Sequence, residues 1–182
     1  MLLRDAADSD LDGILTIHND AIRTSTAIWT DDEVPRSERA AWFAAQRAAG
    51  NPVVVADDGG EVAGYATYAQ WRAKSGYRHT VEDSIYVADG YRGRGLGRAL
   101  LVELVARARA AGHRTMLADI EAGNVASVRL HESLGFGSVG RLPEVGTKFG
   151  QWLDLEILAL ALQDGAETAG VAPRPESVGH DG

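Results

Sequence analysis

The sequence predicts a single-domain α/β protein with a mixed sheet flanked by helices. Three observations predict it. At 182 residues the chain suits one domain, which at this size buries roughly 70% of its extended surface. Period-two stretches that read as strands are interleaved with stretches whose apolar residues recur at helical spacing. A hairpin signal lies in the middle of the chain, and a strand, a glycine loop and a long helix follow it in that order.

Element by element, residues 2–6 read as a short edge strand, and Ser9 or Asp10 is placed to cap a helix carrying Leu11, Ile14, Leu15, Ile17 and Ile22. A second helix runs over residues 36–49, opened by Pro35 and stopped by Gly50. From Pro52, VVVAD, the turn DDGG and EVAGYATYAQ predict two antiparallel strands. WRAKSGYRHT has no period and reads as a loop, whereas VEDSIYV regains strand character. The next helix carries Leu96, Leu100, Leu101, Leu104 and Val105 on one stripe and ends at Gly112. After it come a buried strand at residues 116–120, a short helix at 124–134 ended by Gly135, and strands near 136–140 and 151–162. The last twenty residues are rich in Gly, Ala, Pro and acid, so a domain of residues 1–162 is expected to end in a disordered tail, 163–182.

Composition narrows the function. There is no cysteine, which removes disulfides, thiolate metal sites and a cysteine nucleophile together, and no metal is expected. The N-terminus turns acidic within five residues and no run approaches membrane-spanning length, so a cytoplasmic protein without a membrane partner is expected. Net charge is -8, of which the tail's four acids against one arginine contribute -3. No nucleic-acid partner is expected of a chain with this balance.

Within this acidic chain the stretch YRGRGLGRALL at residues 91–101 concentrates three arginines and three glycines. A dinucleotide fingerprint needs glycines at first, third and sixth positions, but Arg98 stands sixth from Gly93. A Walker loop needs a Gly-Lys-Ser/Thr ending, which is absent. What remains is Arg92-Gly93-Arg94-Gly95-Leu96-Gly97, a turn whose glycines let backbone N–H groups and a helix start close on a pyrophosphate.

That pattern, placed between VEDSIYV and a long helix, resembles the acetyl-CoA loop of the GNAT superfamily of N-acetyltransferases. A second segment, NVASVRLHESLGF at residues 124–136, is similar to the family's Asn-x-x-Ala/Ser-x-x-x-Tyr-x-x-x-Gly-Phe block, with His131 in place of the tyrosine. The blocks WRAKSGYRHTVEDSIYV, SVRLHESLGF and VGTKFGQWLDL resemble the phosphinothricin and methionine sulfoximine N-acetyltransferase branch. The resemblance covers residues 2–162 and implies the GNAT fold, a mostly antiparallel sheet splayed at the cofactor site. It further implies acetyl-CoA as co-substrate and a homodimer.

The resemblance also assigns roles. Arg92, Gly93, Arg94, Gly95, Leu96, Gly97 and Arg98 would cradle the diphosphate. Backbone groups of Ile85, Tyr86 and Val87 would pair with pantetheine, and Asn124, Ser127 and, more peripherally, Ser133 would complete the cofactor side. Glu82 is the expected base, and His131 the expected donor to the departing thiolate or a relay with Glu82. Without cysteine, transfer is expected by direct attack in a ternary complex. For the acceptor, Arg72 and Lys74 would take a carboxylate, with Glu82, Asp83 and Ser84 lining the amine side. The implied acceptor is a small amino-acid analogue such as methionine sulfoximine or phosphinothricin. The alternatives are another amine (a polyamine, an aminoglycoside or a protein N-terminus) or a non-catalytic acetyl-CoA sensor. Lys148, Phe149, Trp152 and Asp154 fall near the acceptor cleft, with Trp152 expected to serve packing in the core or at an interface.

Overall fold

A computed structural model describes residues 1–163, so the expected tail lies outside the described residues apart from Gln163. Strands β1 (Leu2–Asp5), β2 (Val53–Asp58), β3 (Glu61–Gln70), β4 (Thr80–Val87), β5 (Thr115–Glu121), β6 (Gly137–Lys148) and β7 (Gln151–Ala161) form one sheet. Helices α1 (Leu11–Thr24), α2 (Arg36–Ala48), α3 (Leu96–Ala110) and α4 (Val125–Glu132) flank it. Strand order is β1-β2-β3-β4-β5-β7-β6, antiparallel throughout except for the parallel pair β4–β5.

The sheet is covered on both faces, which is why β2 reads as a continuous apolar run instead of alternating. Val54, Ala66, Val81, Met116 and Ala118 pack with α3 residues Leu100, Leu101 and Leu104. Val53, Val55 and Tyr65 pack instead with Leu11, Ile14 and Ile17 of α1 and Phe43 of α2. Each fully buried leucine on the α3 side contributes about 2 kcal/mol. Asp10 precedes α1 as expected but does not cap it: its carboxylate takes Arg4 at 2.6 and 2.8 Å and the N–H of Ala7 at 2.7 Å, tying β1 to the helix start.

Two features of the fold matter for the site. The strand expected to end near residue 140 runs on to Lys148, because β6 is the sheet edge: Pro143 costs no ladder bond there, and the pairing with β7 slips between Leu142 and Gly146. The segment between α1 and α2 is also pinned. The Asn19 amide exchanges two hydrogen bonds with the backbone of Val34, at 3.0 and 2.9 Å. Thr26 Oγ1 donates to Glu121 at 2.9 Å, and buried Lys148 donates to the Thr30 carbonyl. The Trp29 ring lies against Gly146, where a Cβ would collide with ring carbons Cε3 and Cζ3. Among the described residues no helix is long and apolar enough to cross a membrane.

Gly146→Ala should therefore dislodge Trp29, with a loss of about 1–3 kcal/mol in urea denaturation. Unchanged stability would mean that the Trp29 ring finds another seat.

Candidate active site

The site starts where β4 and β5 part. Their parallel pairing covers Thr80, Val81 and Glu82 against Thr115, Met116 and Leu117 and goes no further. Beyond Glu82, β4 keeps its other neighbour, with Ile85, Tyr86 and Val87 registered on Ala66, Tyr65 and Gly64 of β3. The β5-facing edge of residues 83–87 is thus left without a strand partner, its Val87 carbonyl accepting from Arg92 Nε at 3.3 Å, and is the kind of edge that takes up an extended chain as an added strand.

Two connected cavities use this gap. A groove of about 810 Å³ is lined by Ile85, Tyr86, Val87, Arg92, Gly93, Gly95, Leu96, Gly97, Arg98, Asn124 and Ser127, among others. A smaller pocket of about 180 Å³ is lined by Glu82, Asp83, Ser84, Asp119, Glu121 and His131, and shares Ala27, Ile85, Tyr86, Glu121, Asn124 and Ser127 with the groove. The expected cofactor set therefore falls in one place, except for two members. Arg94 projects over the Tyr91 ring, 5.7 Å from its centroid, and Ser133 Oγ donates to the Leu130 carbonyl at 2.7 Å. Neither lines the groove.

The glycine loop fits a diphosphate. Gly93 and Gly95 hold φ of 74° and 80°, backbone that disfavours side chains, and a Cβ at either would meet nothing within 4 Å. The loop is open towards the groove and ends on the first turn of the fifteen-residue α3, whose free N–H groups attract an anion. Gly97 serves a separate need, since a Cβ there would come 3.3 Å from Leu130 and push α4 away. Asn124 caps α4, accepting from the Ser127 N–H at 3.2 Å, and also lines both cavities.

In the pocket, neighbouring residues of β4 face opposite ways. Asp83 turns toward α4, where Nε2 of His131 donates to its Oδ2 at 3.1 Å. Nδ1 of His131 donates to the Ser127 carbonyl at 2.8 Å. Both ring nitrogens are thus spent, and the His131 and Asp83 side chains are 4% and 2% exposed, so as folded the histidine has no free N–H to offer a thiolate. Burial lowers the affinity of His131 for its proton. The bond and charge of Asp83, with the Ser127 carbonyl, outweigh burial and set its pKa above the ordinary value. Asp83, expected beside the acceptor amine, is committed to His131 through Oδ2, and only Oδ1, buried without a hydrogen-bond partner among the described residues, remains.

Glu82 faces the opposite way, toward Asp119. Its carboxyl is pushed up to about 7, first by burial and then by the charges of Asp119 and Asp83, with Arg72 opposing. Arg72 and Lys74 themselves line neither cavity. Arg72 lies over Trp71, 4.6 Å from the ring centroid, and Lys74 is exposed on the same loop. His18, on the α1 side of the sheet, is driven down to about 4 by burial and the Arg39 cation, shares a hydrogen bond of 2.9 Å with Tyr65 OH, and lines neither cavity. The cavity walls also include Asp119, Glu121 and Ala27, none of which sits in a motif; chain topology alone delivers them, while Phe149 of the VGTKFGQWLDL block lines the groove. Trp152, with 68% of its surface exposed, is not a core residue of this chain.

A strand parting from its neighbour over a glycine-rich helix start, with a carboxyl at the fork, is the arrangement of an acyl-CoA-dependent acyltransferase. Residues 14–136 match the Acetyltransferase (GNAT) family, and the chain belongs to it; it is an acetyltransferase that uses acetyl-CoA. The L-methionine sulfoximine/L-methionine sulfone acetyltransferase of Pseudomonas paraeruginosa is 52% identical over 161 residues, covering 88% of this chain and 94% of that protein. The phosphinothricin N-acetyltransferase of Alcaligenes faecalis is 38% identical, covering 91% and 85%. A GNAT superfamily phosphinothricin acetyltransferase from Sinorhizobium meliloti, solved in complex with acetyl-CoA, superposes with a TM-score of 0.88 at 39% identity, covering 94% and 95%.

The His131–Asp83 pair stabilises the fold while His131 is protonated. That contribution is full below the unfolded histidine pKa, near 6.5, and fades as pH rises through the higher folded value. Asp83→Asn should thus cost about 2 kcal/mol at pH 6 and clearly less at pH 9 in thermal denaturation. Equal losses at both values would show that the pair is neutral.

Proposed function

We propose that this chain acetylates the α-amine of a small amino-acid analogue of the methionine sulfoximine or phosphinothricin kind, in the cytoplasm and as a homodimer. The observation that carries the reaction assignment is Glu82, a half-buried carboxyl at the fork, poised near neutral pH beside a groove suited to CoA. The acceptor class rests on the two relatives above and on Arg72, whose charge reaches the pocket.

The chemistry follows from placement. The diphosphate lies at the loop of residues 92–98, and pantetheine runs along the free edge of β4 so that the thioester reaches the fork. The ammonium group of the acceptor gives its proton to ionised Glu82, directly or through a water. The freed amine forms its N–C bond to the thioester carbonyl carbon, whose oxygen is stabilised by a main-chain N–H of the β4 edge. The C–S bond then breaks, CoA leaves as thiolate, and the proton shed by the new amide nitrogen balances its charge. His131 supports this by fixing Asp83 beneath the pocket floor rather than by touching sulfur.

Glu82→Gln should cut kcat/KM by about 100-fold while acetyl-CoA affinity holds. The wild-type profile should rise with pH through about 7, because only the ionised carboxyl accepts a proton. Release of CoA thiol in the presence of methionine sulfoximine measures both, and retained turnover in the variant would make Glu82 structural.

The homodimer is supported by β6 and β7. Along this edge hairpin Val139, Leu142, Val145, Phe149 and Trp152 are all exposed, an apolar band too concentrated for scattered surface residues. Sedimentation should give a dimer, and Trp152→Asp together with Leu142→Asp should give a folded monomer. A monomeric wild type would remove the second copy from that face.

A further inference from the structure

We propose that Asp119, across the β4–β5 gap from Glu82, is the second carboxylate of the pocket: it binds the incoming ammonium group alongside Glu82 and positions the amine for transfer. The inference deepens the function proposed above and rests on the acceptor amine being delivered to this pocket.

The placement comes from the fork. Asp119 lies on β5 two residues beyond Leu117, the last residue paired in parallel with Glu82. Ala118 and Ile120 point into the α3-side core, so Asp119 is turned to the other face of the sheet, into the pocket where Glu82 and Ser84 also stand. The acids here are not equivalent. Glu121 accepts from Thr26 Oγ1 at 2.9 Å and from the Gly123 N–H at 2.6 Å, and Asp83, whose Oδ1 is likewise unpartnered among the described residues, faces α4 with its Oδ2 held by His131. Oδ1 of Asp119 is buried with no hydrogen-bond partner among the described residues, while the residue lines the pocket. A buried carboxylate oxygen without a donor is costly, and a ligand carrying N–H donors and positive charge relieves it.

The electrostatics agree. The groups facing this point are Glu82 and Asp83 of β4, Asp119 and Glu121 of β5, His131 of α4 and Arg72 of the β3–β4 loop. Asp119 is raised by burial, with Arg72 pulling it back and Asp83 adding to the rise. After burial, its charge is the largest of the influences that oppose ionisation of Glu82. An arriving ammonium ion reverses that obstacle, because the two carboxylates that repel each other both attract it. Arg72, close enough to influence both, is left for the acceptor's carboxylate, so the pocket is matched to a zwitterion.

The test uses Asp119→Asn and Asp119→Glu in the full chain. In Asp119→Asn, KM for methionine sulfoximine should rise about tenfold and the acid limb of kcat/KM should move about one pH unit lower, as Glu82 loses its charged neighbour. Acetyl-CoA affinity should hold, since Asp119 does not line the groove. Asp119→Glu, which keeps the charge, should restore the acid limb and most of the affinity. A limb and KM unchanged in Asp119→Asn would overturn the proposal. Infrared titration of the Glu82 carboxyl, compared with Glu82→Gln, reads the coupling without turnover. If wild type acetylates no such acceptor, the substrate reading fails by itself. A Glu82 titration that Asp119→Asn leaves in place refutes the role of Asp119 independently.

Discussion

The parting of β4 from β5 after Glu82 is the constraint on which the rest depends. Up to that residue the strands share a ladder; past it, residues 83–87 have a strand partner on the β3 side only, and of their outward groups the Val87 carbonyl takes Arg92. In a closed sheet these groups would be occupied and no extended ligand could lie there. The opening also sets what each β4 side chain faces: Glu82 and Ser84 look into a space that the segment between α1 and α2 bounds through Ala27, while Asp83 faces α4. The cofactor groove, acceptor pocket and buried ion pair are three consequences of one missing stretch of pairing.

Much of this was legible in the sequence because local physics determined it. Gly93 and Gly95 announce a turn that only glycine makes easily, and the Leu96 to Val105 stripe announces the helix behind it, whatever the rest of the chain does. Glu82 was legible through resemblance and the strand it opens. Asp119 was not: it stands in TMLADIE, an ordinary buried-strand sequence, and gains meaning only from the neighbour that leaves it. The direction of Asp83 was hidden for a related reason, since alternation says that 82 and 83 face opposite ways but not which way holds the acceptor. Lys74, Arg94 and Ser133 matched by type and position, yet none of them lines either cavity.

Charge is distributed with the same economy. Net charge is -8, yet the diphosphate end of the groove is basic and the amine end acidic, so a bound molecule meets opposite fields at its two ends. The imidazolium of His131 lies beneath the acidic end and tempers it without entering it. Removing that charge would leave Asp83 uncompensated next to Glu82 and change the field felt by the acceptor without altering the cavity walls.

The contact of Trp29 with Gly146 bears on how such a chain can vary. Position 146 admits no side chain while an indole occupies position 29, and the indole keeps its seat only while 146 stays bare. Neither site is free to drift alone, although they are more than a hundred residues apart and neither lines either cavity. The two form an epistatic pair, so a descendant with a smaller residue at 29 gains a choice at 146 that this protein lacks. Acceptor range in such descendants can shift through the segment between α1 and α2, with every residue of the fork left in place.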